Sequence, residues 1–113
     1  MVISGDDAIT LPLMSLGAEG VIPVVANAFP AEFSRVVNLC LDDNFIEARK
    51  NHYDLLEIIE TLFEDGSPGG VKAALQILDI AQNNLRLPVV KVNKSVYMQL
   101  SNLITNFLEN KTA

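Results

Sequence analysis

The chain has 113 residues, carries a net charge of −6 and is 50% hydrophobic, with 19% charged residues. This length suffices for one domain with a hydrophobic core and is too short for two, and the composition excludes an intrinsically disordered chain. The eight basic residues are scattered along the sequence, which argues against a nucleic-acid-binding protein, because such proteins cluster Lys and Arg.

Two short apolar runs near the start predict β-strands at residues 2–3 and 21–25. Both runs are apolar on both faces, as in parallel strands that lie buried under helices. The segment 8–16 between them has helical spacing, and Pro12 inside it is tolerated only in a first turn, which allows the helix to start as late as Thr10. Strand, helix and strand at this spacing predict a βαβ unit with parallel strands and a right-handed crossover.

The rest of the chain is predicted to be helical. Helices are expected at 30–41, 44–64, 71–82 and from Asn93 onward. Pro30 opens the first of them, Asn44 with Glu47 three residues later is close to a capping box, and Asn93 caps the last. The glycine-rich segment 64–70 is predicted to be a turn between helices, and 83–92 is predicted to be extended, with Pro88 confining it to an edge or to the surface.

These elements do not add up to a complete α/β domain. Two parallel strands with five helices cannot form a sheet that buries itself, and an ordinary α/β domain has at least four strands. The mean hydropathy of +0.29 is high for a chain of this size, which indicates apolar surface that faces a partner. Strands are therefore missing from the predicted architecture.

Two adjacent carboxylates, Asp6 and Asp7, follow the first predicted strand. Neighbouring side chains point in different directions, so a pair that shares a proton is not expected. The structural interpretation is a helix cap, since a carboxylate at a helix N-terminus accepts hydrogen bonds from unpaired N–H groups. The functional alternative is that Gly5 lets a substrate approach the backbone at the carboxyl end of a strand, where α/β active sites lie.

No catalytic or metal-ligating set stands out elsewhere. His52, the single histidine, has no Cys, Asp or second His at ligand spacing, and no nucleophile elbow is present. None of the lysines follows a buried strand, where a desolvated Schiff-base amine would be expected. The sequence therefore predicts no catalytic residue, no metal and no cofactor within this chain.

The sequence predicts a cytoplasmic protein. Its longest apolar run, 21–26, is far shorter than a membrane span, and the start has no secretory signal. Cys40 is the only cysteine, so a disulfide within the chain is excluded and a small buried thiol is expected. No membrane partner is predicted.

The stretch "VISGDDAITLPLMSLGAEGVIPVVANAFP", together with "FIEARKNHYDLLEIIETLF", "GVKAALQIL" and "LRLPVV", resembles the dihydrodipicolinate synthase and N-acetylneuraminate lyase family of class I aldolases. The resemblance implies the C-terminal part of a TIM (β/α)8 barrel followed by a three-helix bundle. Residues 1–41 would supply the last two βα units, and 42–113 the bundle. A full barrel takes about 250 residues, which accounts for the missing strands.

The same resemblance implies the function. Ser4-Gly5-Asp6-Asp7-Ala8 favours the dihydrodipicolinate synthase branch, whose members are lyases of lysine and diaminopimelate biosynthesis that condense pyruvate with aspartate semialdehyde through a lysine imine. Gly5 matches the position that lines the semialdehyde end of the pocket, and Ile22 matches the residue whose carbonyl faces the imine. The imine-forming lysine and the proton-relay residues lie upstream in the family, so the chain is expected to be inactive alone.

Two alternatives stay open. Pro23 stands where the family commonly has Ser, and 67–70 replaces the usual Asn-Pro-x-Pro, so a fragment of an N-acetylneuraminate or keto-deoxy-sugar lyase is the nearest rival. A non-catalytic helical interaction module is the other. Because the predicted strands have uncovered edges, we also expect the chain to self-associate.

Overall fold

The computed structural model describes residues 1–112 and is mostly helical with a small sheet. In chain order it contains β1 (Ile3–Ser4), α1 (Thr10–Ser15), β2 (Gly20–Val21), a 3-10 helix (Val25–Asn27), α2 (Pro30–Leu41), α3 (Phe45–Glu64), α4 (Gly69–Ile77) and α5 (Lys94–Thr112). The chain divides into two compact units, Met1–Leu56 and Glu57–Ala113. That division lies inside α3, whereas the predicted boundary after residue 41 refers to a larger parent fold and stays a prediction.

The sheet consists of β1 and β2, which pair in parallel with Ile3 opposite Gly20 and Ser4 opposite Val21. The predicted order of strand, helix and strand and the parallel pairing are thereby confirmed. The second predicted strand was too long, because only its first residue, Val21, is a strand residue. Pro23 has no N–H to donate to a ladder, and the chain turns into the 3-10 helix two residues later.

In the first unit, α1 and α2 pack around a small apolar core. Its buried members are Met14, Val36, Cys40 and Ala48, flanked by Leu11, Ala18, Val37, Leu39 and Phe45. Pro30 occupies the first turn of α2, as predicted, since its missing N–H has no intrahelical partner there. Leu41, the last residue of α2, is 55% exposed.

In the second unit, α4 packs closely against the end of α3. Buried apolar residues of this unit are Ile58, Ile59, Leu62, Val71, Ala73, Ala74, Val92, Val96, Leu100 and Ile104. Gly69 and Gly70, predicted in a turn, form the first residues of α4, and only Gly66, with φ 92°, lies in the turn itself. The α4 helix ends at Ile77, earlier than predicted, and Asp79 adopts a left-handed φ of 58° just beyond it.

The start of α5 is fixed by Asn93. Its side-chain Oδ1 accepts a hydrogen bond from the Val96 N–H at 2.9 Å, which satisfies one unpaired donor of the first turn. The Asn93 N–H in turn donates to Asp65 Oδ2 at 2.7 Å. The predicted cap is confirmed, and Asp65 holds it from the turn before α4.

We expect Asn93→Ala to lower the free energy of unfolding of the second unit by about 1 kcal/mol, the typical cost of losing a side-chain N-cap. Asn102→Ala, the same substitution at an exposed position inside α5, is the control and should be neutral or slightly stabilising, because Ala favours helix. Urea denaturation of both variants checks this. Equal losses from the two substitutions would show that Asn93 does not act as a cap.

Candidate functional site

The candidate site lies at the carboxyl end of the two strands, where Gly5 follows β1 and Ile22 follows β2. The Ile22 N–H donates to the Ser4 carbonyl at 3.0 Å, which sets the two positions side by side. Gly5 is exposed, and a Cβ built on it would meet no atom within 4 Å. Ile22 is 79% exposed. Both residues named by the resemblance therefore border the same open space.

The Ile22 carbonyl is available for a ligand. Among residues 1–112 it accepts no hydrogen bond from a backbone or side-chain donor. Most backbone carbonyls in folded proteins have a partner, and buried ones nearly always do. An exposed carbonyl without one, at the carboxyl end of a parallel strand, can accept a hydrogen bond or face a cation.

The turn after β1 is held by two hydroxyl groups, those of Ser4 and Thr10. Ser4 Oγ donates to the Asp6 carbonyl at 2.9 Å, and Thr10 Oγ1 donates to the same carbonyl at 2.8 Å. Both side chains are buried, at 2% and 1% exposure. Asp6 itself is exposed and its Oδ1 accepts the Ala8 N–H at 3.0 Å. The backbone beside Gly5 is thus fixed by local hydrogen bonds.

Asp7 does not cap the helix that follows it, so this part of the cap interpretation was wrong. The residue before α1 is Ile9, and no side chain caps that helix. Instead the Asp7 carboxylate, 1% exposed, accepts the Val24 N–H at 3.1 Å on both oxygens and the Val25 N–H at 2.7 Å on Oδ2. Asp7 thereby joins the loop after β1 to the N-terminus of the 3-10 helix, which lies in the loop after β2.

This arrangement positions backbone groups by means of side-chain hydrogen bonds. Asp7 is occupied by two backbone amides, and Asp6 faces solvent. Within residues 1–112 no group of three or more His, Cys, Asp or Glu side chains could hold a metal ion. The site is one side of an open space, and Gly5 and the Ile22 carbonyl are its accessible groups.

Through residue 112, none of the helices has the length and apolarity required to cross a membrane.

Two further buried titratable groups, Cys40 and His52, lie on the helices α2 and α3. Cys40 sits in the core of the first unit, and burial raises the pKa of its thiol. His52 is 7% exposed on α3, with its ring centroid 5.5 Å from that of Tyr53. Burial lowers the pKa of His52, because the charged imidazolium loses its hydration. Both groups are structural.

His52 makes stability fall as the pH falls below about 6.5, the ordinary pKa of an unfolded histidine. Below this pH the imidazole is protonated in the unfolded chain, whereas in the folded chain it is protonated only at lower pH. The loss in free energy of unfolding therefore grows until the pH reaches the pKa of His52 in the folded chain. His52→Phe keeps a ring beside Tyr53 and removes the titration. We expect the wild-type midpoint in urea to decrease between pH 7 and pH 5, and that of the variant to change less. Parallel pH profiles would contradict the assignment.

Comparison with known proteins identifies the family that this chain resembles. Residues 1–107 match the family described as the dihydrodipicolinate synthetase family. The 4-hydroxy-tetrahydrodipicolinate synthase of Phocaeicola vulgatus is 48% identical over 99 residues, which cover 88% of this chain and 33% of the relative. That of Parabacteroides distasonis is 47% identical over 103 residues, or 91% of this chain and 35% of the relative. The chain thus spans about a third of the length of these relatives.

The fold is shared with solved structures of the same kind. A crystal structure of dihydrodipicolinate synthase from Aquifex aeolicus superposes with a TM-score of 0.90 at 34% identity, covering 95% of this chain and 36% of that one. Such structures are TIM barrels. This chain therefore has the fold of part of a dihydrodipicolinate synthase, a protein whose whole fold is a TIM barrel.

Proposed function

The chain belongs to the dihydrodipicolinate synthetase family, and we propose that it forms the C-terminal part of a Schiff-base lyase that condenses pyruvate with aspartate semialdehyde in lysine and diaminopimelate biosynthesis. The carrying observation is the Ile22 carbonyl, which lies beside Gly5 without a hydrogen bond from residues 1–112. The names of the relatives, 4-hydroxy-tetrahydrodipicolinate synthase, favour this substrate pair over a sugar acid. In this proposal the enzyme acts in the cytoplasm.

In the proposed reaction this chain contributes binding and orientation. The Ile22 carbonyl faces the cationic imine that pyruvate forms with a lysine, and its fixed dipole stabilises that charge at no reorganisation cost. Gly5 leaves room for the semialdehyde, since nothing of this chain stands within 4 Å of its Cβ position. Asp7 anchors the backbone two residues after Ile22 and so limits where the Ile22 carbonyl can move.

The lysine of the imine is not proposed to come from this chain. Lys72 lies in α4, Lys94 and Lys111 lie in α5, and Lys50 forms an exposed ion pair with Glu47 at 2.8 Å. Lys91 belongs to the segment without regular structure. A Schiff-base amine needs a depressed pKa from a desolvated site.

Within the proposed enzyme, residues 1–41 form the last two βα units of the barrel and residues 42–113 form the helical bundle.

Borohydride trapping tests the proposed function. The chain alone, with pyruvate and borohydride, is expected to give no adduct by mass spectrometry. The chain joined behind the remaining two thirds of the Phocaeicola vulgatus relative is expected to trap one pyruvate and to turn over aspartate semialdehyde. No turnover by a folded hybrid, or a stoichiometric adduct on the chain alone, would contradict the proposal.

A substitution at Gly5 separates the two substrates in that hybrid. Because a Cβ at Gly5 meets nothing within 4 Å, Gly5→Ala should fold like the wild type. A change in its kinetics would then reflect a contact between the new methyl group and a substrate. We expect the KM for aspartate semialdehyde to rise severalfold while pyruvate trapping is unchanged. Loss of pyruvate trapping with an unchanged KM would place Gly5 at the other end of the pocket.

The proposal also covers partners. Pyruvate and aspartate semialdehyde are the small molecules of the whole enzyme, and no nucleic acid or membrane is part of it. The isolated chain is proposed to self-associate, because unpaired strand edges recruit other chains.

A further inference from the structure

The Ile22 carbonyl lies at the point where the ladder between β1 and β2 stops. Ile22 donates its N–H to the Ser4 carbonyl at 3.0 Å, and in an evenly spaced parallel ladder the next bond would run from the Asp6 N–H to the Ile22 carbonyl. The Asp6 N–H donates instead to Ser4 Oγ at 3.2 Å. Within residues 1–112 the Ile22 carbonyl therefore accepts no hydrogen bond, because a serine hydroxyl takes the donor that would have paired with it.

The backbone is anchored on both sides of this carbonyl. The Ile22 N–H is bound to β1, and the Val24 N–H is bound to the Asp7 carboxylate, at 3.1 Å from each of its oxygens. Pro23, which is half-buried, lies between these two anchors. The direction of the carbonyl then depends on the ψ angle of Ile22, because this angle turns the peptide group that joins Ile22 to Pro23.

A proline at position 23 restricts that angle. The Cδ atom of a proline clashes with the N–H and Cβ of the residue before it, which disfavours the helical range of ψ for that residue. The ring also holds φ of Pro23 itself at about −65° and leaves it without an N–H that could bind another partner. The Ile22 side chain is 79% exposed, so packing does little to fix the backbone here. Pro23 is the feature that selects one direction for the carbonyl.

We propose that Pro23 is a positioning residue of the pyruvate site, which fixes the direction in which the Ile22 carbonyl meets the cationic imine. This inference rests on the proposed function and deepens it, because it names the residue that aims the carbonyl. A carbonyl that is already aimed stabilises the charge without reorganisation, whereas one that turns must first lose that freedom. Asp7 fixes where this backbone lies, and Pro23 fixes which way its carbonyl points.

The test uses the hybrid with the Phocaeicola vulgatus relative, carrying Pro23→Ala or Pro23→Gly. Both substitutions release the angles that proline restricts, glycine more than alanine. We expect kcat/KM for pyruvate to fall about tenfold in Pro23→Gly, the order of the entropy cost of fixing the backbone of one residue, and to fall less in Pro23→Ala. The KM for aspartate semialdehyde should be unchanged. Pro30→Ala, which removes a proline from the first turn of α2, is the matched control and should change neither value.

A second measurement needs no catalysis. In the isolated chain, NMR relaxation of the Ile22 carbonyl carbon should give a lower order parameter in Pro23→Gly than in the wild type or in Pro30→Ala. An unchanged order parameter would overturn the inference, because Pro23 would then not be what holds the carbonyl.

The kinetic outcomes distinguish this inference from the proposed function. An unsubstituted hybrid that folds but has no turnover contradicts the proposed function, and the relaxation measurement still decides whether Pro23 fixes the carbonyl. An active hybrid in which Pro23→Gly and Pro30→Ala have equal kcat/KM for pyruvate overturns this inference alone. An equal rise in the KM of both substrates would indicate a general disturbance of the site and overturn it too. Pro23→Ala provides the same comparison if Pro23→Gly fails to fold.

Discussion

Gly70→Ala is expected to lower the free energy of unfolding of the second unit by about 3 kcal/mol or more, the upper range for overpacking. A Cβ at Gly70 would overlap the Leu62 carbonyl oxygen and lie 2.6 Å from the carbonyl carbon and 2.8 Å from the Cα of Leu62. All three atoms are backbone of α3, so no side-chain rotation relieves the overlap and the two helices must separate. The helix-propensity gain of Ala over Gly, about 1 kcal/mol, is too small to compensate.

Gly69→Ala is the matched control, because it makes the same substitution one residue earlier in the same helix turn. Its Cβ would lie 3.3 Å from the Val90 carbonyl oxygen and 3.3 Å from Val92 Cγ1, a contact that small shifts relieve. We expect a change within about 1 kcal/mol. Urea denaturation of both variants decides the point, and a Gly70→Ala protein as stable as Gly69→Ala would show that α3 and α4 do not approach this closely.

The helices were largely predictable because their signals are local. Pro30 and Asn93 mark helix starts by properties of one residue and its next turn, and both starts were confirmed. The C-terminal ends of the helices were less predictable. The α4 helix is an example, because the sequence does not distinguish the left-handed Asp79 that follows it from an Asp inside a helix. The two glycines of α4 were predicted in a turn, because no local pattern reveals the backbone that each one faces, which is Leu62 for Gly70 and Val90 for Gly69.

The candidate site was the least predictable part. Spacing alone drew attention to Asp6, Asp7 and Gly5, and only the resemblance to a family picked out Ile22. The role of Asp7 lay beyond sequence reasoning because its hydrogen-bond partners lie 17 and 18 residues away. The same long-range contact explains the shortened second strand, since amides bound by a carboxylate are not free for a ladder.

Asp7→Asn should therefore be strongly destabilising for the first unit, by about 1.5–3 kcal/mol, the range for hydrogen bonds to a charged group. The asparagine keeps the shape, but its NH2 group must replace one of two oxygens that accept the Val24 and Val25 amides. A donor then faces a donor in a site that is 1% exposed, and an unsatisfied buried amide adds its own desolvation penalty. The loss should appear as faster hydrogen exchange at Val24 and Val25 before the whole unit unfolds.

Asp6→Asn is the control for this substitution, since Asp6 is exposed and its Oδ1 accepts only the Ala8 N–H, a bond that an asparagine oxygen can also accept. We expect it to stay within about 0.5 kcal/mol of the wild type, as most exposed substitutions do. Equal exchange rates at Val24 and Val25 in the two variants would show that the Asp7 charge does not hold this loop. A selective effect of Asp7→Asn would instead show that one buried carboxylate joins the loops after both strands, and so limits where the Ile22 carbonyl can point.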